Sequence, residues 1–292
     1  MQIREAMVLC AGLGRRMRPL TLTTPKPALP FLNRPALHWI LETLEAHGVD
    51  RAVLNLHHLA RAVVQCGAGY PGTISLKYSF EKEILGTAGA FGPVLGLFRG
   101  EALFIQNADT FCSPPYTALE GILDEYSDCL AVLCVRPLPA GAPYTPVSVD
   151  PKGRVKSFGS GDRHFTGVYA ARRALFDLLP GPGPRELVPD LLRPLLPSGA
   201  VRAVPLPDPW YDLGTPESYL RASLEALSAM DQGRLAVPAG SRLEHRDGLP
   251  MLIHNSASVA PEAGIEGPLL AAEDTGIEAR AAAGRCVLLP GA

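Results

Sequence analysis

Near the start of the chain, Leu9-Cys10-Ala11-Gly12-Leu13-Gly14-Arg15-Arg16-Met17-Arg18-Pro19-Leu20-Thr21 and then Pro25-Lys26-Pro27 place glycines and cations directly after a short apolar run. Glycines at the carboxyl end of a strand let the backbone turn with its N–H groups exposed. Arg16 and Lys26 add positive charge, so the segment predicts a phosphate cradle. Two familiar cradles are excluded. Gly12-x-Gly14 is followed by Met17 where a dinucleotide fingerprint has glycine or alanine, and no G-K-[ST] follows as in a Walker loop. Lysine is scarce, with only Lys26, Lys77, Lys82, Lys152 and Lys156 among 27 basic residues, so the lysine between two prolines is informative. Further along, Glu81 precedes Leu85-Gly86-Thr87-Ala88-Gly89, and carboxylates stand in Asn107-Ala108-Asp109 and Trp210-Tyr211-Asp212. Each aspartate alone is equally a turn or cap residue, and Gly86-Thr87 alone is equally a helix cap.

These groups need a scaffold, and the hydrophobic pattern supplies one. Short apolar runs alternate with helical patterns: Ala6–Cys10, then a helix from Pro35 to His47, then Ala52–Leu56. That helix opens on Pro35, carries Leu37, Ile40, Leu41 and Leu44 on one face, and ends at Gly48. Further strands are predicted at Ile74–Tyr78, Ala102–Gln106, Leu130–Val135, Phe165–Ala170 and Val201–Leu206, with helices after Thr87, Pro114 and Arg172. The alternation predicts an α/β three-layer, Rossmann-like domain with a mostly parallel central sheet. Asp109, just past one strand, then lies at a carboxyl edge of the sheet, where open α/β folds place ligands. Thr215-Pro216-Glu217 predicts a capped helix to about Met230 that closes a domain spanning 1–230. Residues 231–249 read as a linker. In 250–292, Ile253, Val259, Ile265, Ile277 and Val287 recur among glycines at intervals often divisible by six, which predicts a partial left-handed hexapeptide β-helix; an irregular Ala/Gly-rich tail is the alternative.

The motifs over residues 6 to 216 resemble, in order, those of the sugar-phosphate nucleotidyltransferase family. These are G-x-G-x-R-[ML]-x-P-L-T with P-K-P, the segment Glu81-x-x-x-Leu85-Gly86-Thr87-Ala88-Gly89, N-x-D at Asn107–Asp109, and W-x-D-x-G-T-P at Trp210–Pro216. The resemblance implies a nucleotidyltransferase domain that joins a nucleoside triphosphate to a sugar 1-phosphate and releases pyrophosphate. It assigns nucleotide binding to Leu9, Ala11, Gly12, Gly14, Arg15, Arg16, Lys26, Glu81, Gly86 and Thr87. Sugar binding falls to Asn107, Thr166 and Gly167, and catalysis to Arg16, Lys26, Asp109 and Asp212. Asp109 and Asp212 are the implied ligands of Mg²⁺, which favours carboxylate, phosphate and water oxygens. Where many members carry F-x-E-K-P, this chain has Phe158-Gly159-Ser160-Gly161, so the sugar is less determined than the reaction. Leu-Gly-Thr-Ala-Gly resembles mannose- or heptose-1-phosphate guanylyltransferases. The missing E-K-P and Phe165-Thr166-Gly167 are closer to N-acetylmuramate-1-phosphate uridylyltransferases. A non-catalytic nucleotide-sugar sensor and a pterin guanylyltransferase are the competing classes.

The 292 residues carry 27 basic and 29 acidic side chains, a formal charge of -2, so no global field favours nucleic acid or anionic membrane. Cys10, Cys66, Cys112, Cys129, Cys134 and Cys286 form no C-x-x-C pair and read as buried thiols of a reducing compartment. No apolar run reaches 18 residues and the early one is too short for a signal peptide, so a cytoplasmic protein is expected. Repeated coils at the C-terminal end would also offer edges for a homo-oligomer.

Overall fold

In the computed structural model, which describes residues 1–292, the apolar runs form strands that pair as their burial demands. β1 (Glu5–Leu9), β2 (Arg51–Leu56), β3 (Ser75–Phe80) and β4 (Ala102–Asn107) lie parallel in the order β3-β2-β1-β4. Val8, Val53, Leu54, Leu56 and Leu103 are fully buried, the pattern of parallel strands covered on both faces. The sheet continues through β5 (Ala131–Pro137), β6 (Pro146–Val149), β7 (Val155–Phe158), β8 (Arg163–Arg172) and β9 (Val201–Pro205). The long β8 runs antiparallel to β4, β5 and β6, while β9 returns parallel to β5, so the nine-stranded sheet is mixed. β8 breaks register between Phe165 and Tyr169, a bulge centred on Gly167.

The helix predicted from Pro35 is α1 (Ala36–Ala46), with Leu37, Ile40, Leu41 and Leu44 buried at helical spacing. It stops at Gly48, whose φ of 101° lets the chain turn out of the helix. α2 (Ala60–Ala68) and the β6–β7 hairpin had no clear sequence signal, whereas α3 (Tyr116–Glu125) follows Pro114 as expected. After Thr87 the helix is only Gly86–Gly89, because Gly92 and Pro93 follow at once. After Arg172 the chain makes a 3₁₀ turn, Arg173–Leu178.

Two units are distinguishable, Met1–Leu13 with Ile40–Trp210, and Gly14–Trp39 with Tyr211–Ala292. The first holds the nine-stranded sheet and a core that includes Met7, Val53, Phe91, Leu103, Leu133, Tyr169 and Phe176. Phe91 and Phe176 stack at 3.7 Å between centroids.

The second unit joins the early glycine-rich segment to the C-terminal residues. Here α4 (Pro216–Asp231) opens on Thr215, whose hydroxyl accepts from Ser218 N at 3.1 Å while Ser218 Oγ accepts from Thr215 N at 3.0 Å. α4 packs on three strands of the C-terminal segment, β11 (Leu249–His254), β12 (Leu269–Ala271) and β13 (Cys286–Leu288). β11, β12 and β13 pair in parallel, and Leu252↔Leu270 lie 270 − 252 = 18 residues apart. Two shorter parallel pairs, Val259↔Ile277 and Ile265↔Ala283, have the same 18-residue offset, three six-residue sides to a coil, while the step from Leu270 to Val287 is one residue shorter. Met251, Ile253, Ile265, Leu269 and Ile277 fill its interior, and the segment is a partial β-helix with its own small core.

The stretch 231–249, expected as a linker, contains β10 (Ser241–Arg246), antiparallel to β11 through the Asp247-Gly248 turn. Its alternate residues are charged, Arg242, Glu244 and Arg246, so apolar periodicity could not reveal it; both turn residues have positive φ, as a two-residue hairpin requires. No helix is long and apolar enough to cross a membrane.

Candidate functional site

In the first unit the relevant residues gather at the carboxyl ends of β1, β2 and β4. Leu9 closes β1 and is flanked in register by Asn55 on β2 and Asn107 on β4. Ala11 is buried and Gly12 exposed, with open space where a side chain would project. Asn107 ends β4, and Ala108 N donates to Leu9 O at 3.1 Å. The half-buried Asp109 sits in the turn leading to Thr110–Cys112.

Gly167, at φ 82°, approaches Asn107 so closely that a Cβ there would collide with Asn107 Nδ2. The β8 bulge and Asn107 therefore form one wall. Thr166, also assigned to the sugar by resemblance, is buried and donates its hydroxyl to Cys134 O at 2.9 Å. In place of E-K-P, the Ser157 hydroxyl lies 2.8 Å from Ser148 Oγ and 2.7 Å from Ser160 Oγ. Trp210 stands edge-on to Tyr144 and His164, with the Arg136 guanidinium 5.9 Å from its ring centroid.

Glu81 is 7% exposed, and its carboxylate accepts from Asn55 Nδ2 at 2.7 Å and Leu85 N at 2.9 Å. Gly86 adopts φ 76°, with Arg185 O filling the place a Cβ would take. Ala88 N and Gly89 N also donate to Arg185 O, at 3.0 and 3.1 Å. The Thr87 hydroxyl donates to Glu186 Oε2 at 2.6 Å and accepts from Leu187 N at 2.8 Å. The conformation of Leu85–Gly89 is thus set by Glu81 on one side and residues 185–187 on the other. Asn55 and Glu186 escaped the sequence reading. The signal for Asn55 was present, a single amide in the apolar run Ala52-Val53-Leu54-Asn55-Leu56.

The second unit carries the cations. Gly14 O accepts from Met17 N at 2.9 Å and from Thr21 Oγ1 at 2.7 Å, which closes the loop around buried Met17 and leaves Arg15 and Arg16 exposed. Lys26 is half-buried between the buried Pro25 and Pro27 and opens the turn Lys26–Ala28. Asp212 Oδ1 accepts from Gly214 N at 2.8 Å. A Cβ on Gly214 would lie 2.7 Å from Asp212 Oδ1 and 3.3 Å from Arg16 Nη2. Arg16 and Asp212, 212 − 16 = 196 residues apart, therefore meet at one glycine. After Lys26 the hairpin Pro30–Phe31/Arg34–Pro35 is tied down by the Tyr219 hydroxyl on Pro30 O and by Asn33 Nδ2 on Ser241 Oγ and Ala271 O, at 3.2 and 3.1 Å.

Burial pushes Cys10 well above its ordinary pKa, Cys66 and Asp109 adding to the rise, and lifts Cys66 and Cys112 to about 12. No group of three or more His, Cys, Asp or Glu is arranged to hold a metal by itself. Asp109 in the first unit and Asp212 in the second are each carboxylates, the donor type that hard divalent cations take.

Residues 5–229 match the nucleotidyl transferase family. The chain is 27% identical over 270 residues to the mannose-1-phosphate guanylyltransferase of Mycobacterium tuberculosis, covering 89% of this chain and 72% of that protein. It is 28% identical over 248 residues to the UTP–glucose-1-phosphate uridylyltransferase of Synechocystis, covering 77% of this chain and 63% of that one. The D-glycero-alpha-D-manno-heptose 1-phosphate guanylyltransferase of Campylobacter jejuni is 32% identical over 154 residues, 53% of this chain and 67% of its own length. The chain thus spans less than two thirds of the Synechocystis relative. Among solved structures, HddC from Yersinia pseudotuberculosis complexed with GMP-PN aligns with a TM-score of 0.62 at 22% identity, over 77% of this chain and 100% of that one. The inositol-1-phosphate CTP transferase from T. maritima aligns with a TM-score of 0.65 at 21% identity, over 76% and 96%. At these identities the two structures show the fold alone. The family match runs from β1 almost to the end of α4, well over half of the chain, and takes in every motif described above: the chain belongs to the nucleotidyl transferase family.

Proposed function

We propose that the protein transfers a nucleotidyl group from a nucleoside triphosphate to a sugar 1-phosphate, with mannose 1-phosphate or a related hexose or heptose 1-phosphate and GTP as the preferred pair. The observation that carries the reading is the meeting of Arg16 and Asp212 at Gly214, which unites a cation of the glycine-rich loop with a carboxylate of the W-x-D-x-G-T-P segment. By the resemblance, Lys26, held between prolines, and Asn107, held against the Gly167 bulge, are the further charged and hydrogen-bonding candidates of their respective units. Names of the relatives support the substrate class: guanylyl transfer to mannose or heptose 1-phosphate recurs among them, alongside uridylyl transfer to glucose 1-phosphate.

The reaction needs no covalent enzyme intermediate. A phosphate oxygen of the sugar 1-phosphate attacks the α-phosphorus in line, the bond to the β-phosphate oxygen breaks, and pyrophosphate leaves with the electron pair. Arg16 holds the departing β- and γ-phosphates, and Lys26 stabilises charge on the reacting phosphates. Asn107 orients a sugar hydroxyl. Asp109 and Asp212 are the carboxylates that, by the resemblance, would be offered to a divalent cation such as Mg²⁺, which would neutralise phosphate charge when bound.

The test is pyrophosphate release from each nucleoside triphosphate against a panel of glucose, mannose, heptose, N-acetylglucosamine and N-acetylmuramate 1-phosphates, with and without Mg²⁺. Release is expected only with a sugar 1-phosphate, and Lys26→Ala should lower kcat by about 10²- to 10³-fold, the scale of one lost transition-state contact. Asp109→Ala should behave likewise. Preference for UTP with N-acetylmuramate 1-phosphate would move the substrate to the uridylyl class. Binding of nucleotide sugar without any turnover would replace catalysis by sensing.

A further inference from the structure

We propose that Asn55 is a positioning residue that, through Glu81, locks the two nucleotide-facing turns of the first unit together, and that the Glu81 carboxylate belongs to this lock instead of reading a base. The inference rests on the proposed reaction for its consequence and on geometry for its content. β1 and β2 run parallel with Leu9 beside Asn55, so Asn55 stands where the chain leaves the sheet toward Gly12. Beyond that register the Cys10 N–H leaves the strand ladder and needs another acceptor. Asn55 Oδ1 takes it at 2.8 Å. The same amide donates through Nδ2 to Glu81 Oε1 at 2.7 Å, and Glu81 Oε2 accepts from Leu85 N at 2.9 Å.

The amide's orientation is dictated by its neighbours: an N–H lies on one side and a carboxylate on the other, so oxygen faces Cys10 and nitrogen faces Glu81. Backbone bonds anchor the lock at both ends. Glu81 N donates to Leu56 O at 2.8 Å, and Leu85 O accepts from Arg185 N at 2.8 Å. Asn55 is 3% exposed and Glu81 7%. Buried polar groups of this kind are costly when left unmatched, so removal of one member disturbs the other two. The consequence is that Leu9–Gly12 and Leu85–Thr87, on separate loops, hold one arrangement before any nucleotide arrives. With one donor on each oxygen and little exposed surface, this carboxylate is held inward by the lock.

The polarity of the lock supplies its test. Asn55→Asp keeps an acceptor for Cys10 N but sets a second carboxylate against Glu81. Glu81→Gln keeps the shape but can satisfy only one of its two donors. In the double variant, Asn55→Asp with Glu81→Gln, the new amide at position 81 donates to the new carboxylate at 55 and still accepts from Leu85 N, so the lock is rebuilt with its charge moved by one residue. Hydrogen exchange of the substrate-free enzyme and kcat/KM for ATP, CTP, GTP, UTP and dTTP are measured on all four proteins. Each single variant is expected to speed exchange at the Cys10 and Leu85 amides by about tenfold, the scale of one buried hydrogen bond, and to lower kcat/KM for every nucleotide by one common factor. The double variant is expected to recover most of both losses. Peptides of the β-helix between Met251 and Leu288 serve as a control and should not change. Unaltered exchange at the two amides, absence of recovery in the double variant, or a changed ranking of the nucleotides in Glu81→Gln each overturns the proposal. If the wild-type protein turns over nothing, the proposed reaction fails while the exchange data still decide the lock.

Discussion

Asn33 offers a quantitative test of how the C-terminal segment serves the glycine-rich loop. It occupies the left-handed region at φ 60°, following Leu32 at 52°, at the turn of the hairpin and seven residues after Lys26. Its amide donates to Ser241 Oγ and to Ala271 O, joining the hairpin to β10 and β12. Replacement by alanine removes two half-buried hydrogen bonds, about 1 kcal/mol each. Alanine keeps the Cβ in the left-handed region but lacks the short polar side chain that lets asparagine occupy it, at a further cost of about 1 kcal/mol, for a total of about 3 kcal/mol. Replacement by glycine removes the same bonds but, having no Cβ, carries no left-handed penalty, for about 2 kcal/mol. Scanning calorimetry should therefore rank wild type above Asn33→Gly above Asn33→Ala, with the alanine variant lower in Tm by roughly 6–12 °C for a cooperative unit of this size. Equal Tm values for all three would show that the hairpin does not depend on the β-helix. An alanine variant more stable than the glycine variant would refute the backbone argument specifically.

Gly167→Ala drives a Cβ into Asn107 Nδ2, and we expect KM for the sugar 1-phosphate to rise about tenfold or more, as a displaced hydrogen-bonding group would cause, with nucleotide KM unchanged; steady-state kinetics with either substrate varied decides it. Thr215→Ala removes the hydroxyl that caps α4 and should cost about 1 kcal/mol, read as a lower urea midpoint at constant slope. Cys66 and Cys112 are raised from 9.0 to about 12, so above pH 9 the unfolded chain sheds thiol protons that the folded chain retains. That stabilisation is complete below pH 9 and falls by about 1.4 kcal/mol per pH unit per thiol as pH rises toward 12. Urea midpoints measured from pH 7 to 10 should decline beyond pH 9, less steeply in Cys112→Ala; a flat profile contradicts the burial of these thiols.

The sequence alone carried the elements with a strong short-range period or a marked cap. Strands such as Ala102–Asn107 were legible because full burial demands continuous apolar residues, and α1 and α4 because their apolar faces repeat at helical spacing and their ends carry Gly48 and Thr215. The glycine-rich segment with Arg16 and Lys26 stood out as a candidate phosphate cradle from residue type and spacing, whereas Asp109 and Asp212 became candidates only through the family resemblance. The six-residue period of the C-terminal segment was visible too, since each β-helix side must present one small or branched side chain inward.

Tertiary structure decided the rest, because contact between distant residues leaves no periodic trace. No pattern announces that Arg16 and Asp212 meet at Gly214, that Asn33 is gripped by β10 and β12, or that the Leu85–Gly89 turn is shaped by Arg185 and Glu186. β10 was hidden because its alternate side chains are charged and only its Asp-Gly turn marks it. Asn55 looks like one misplaced amide, and Glu81 by resemblance like a nucleotide-binding carboxylate, until the fold sets them side by side in the interior, where buried polar atoms need partners.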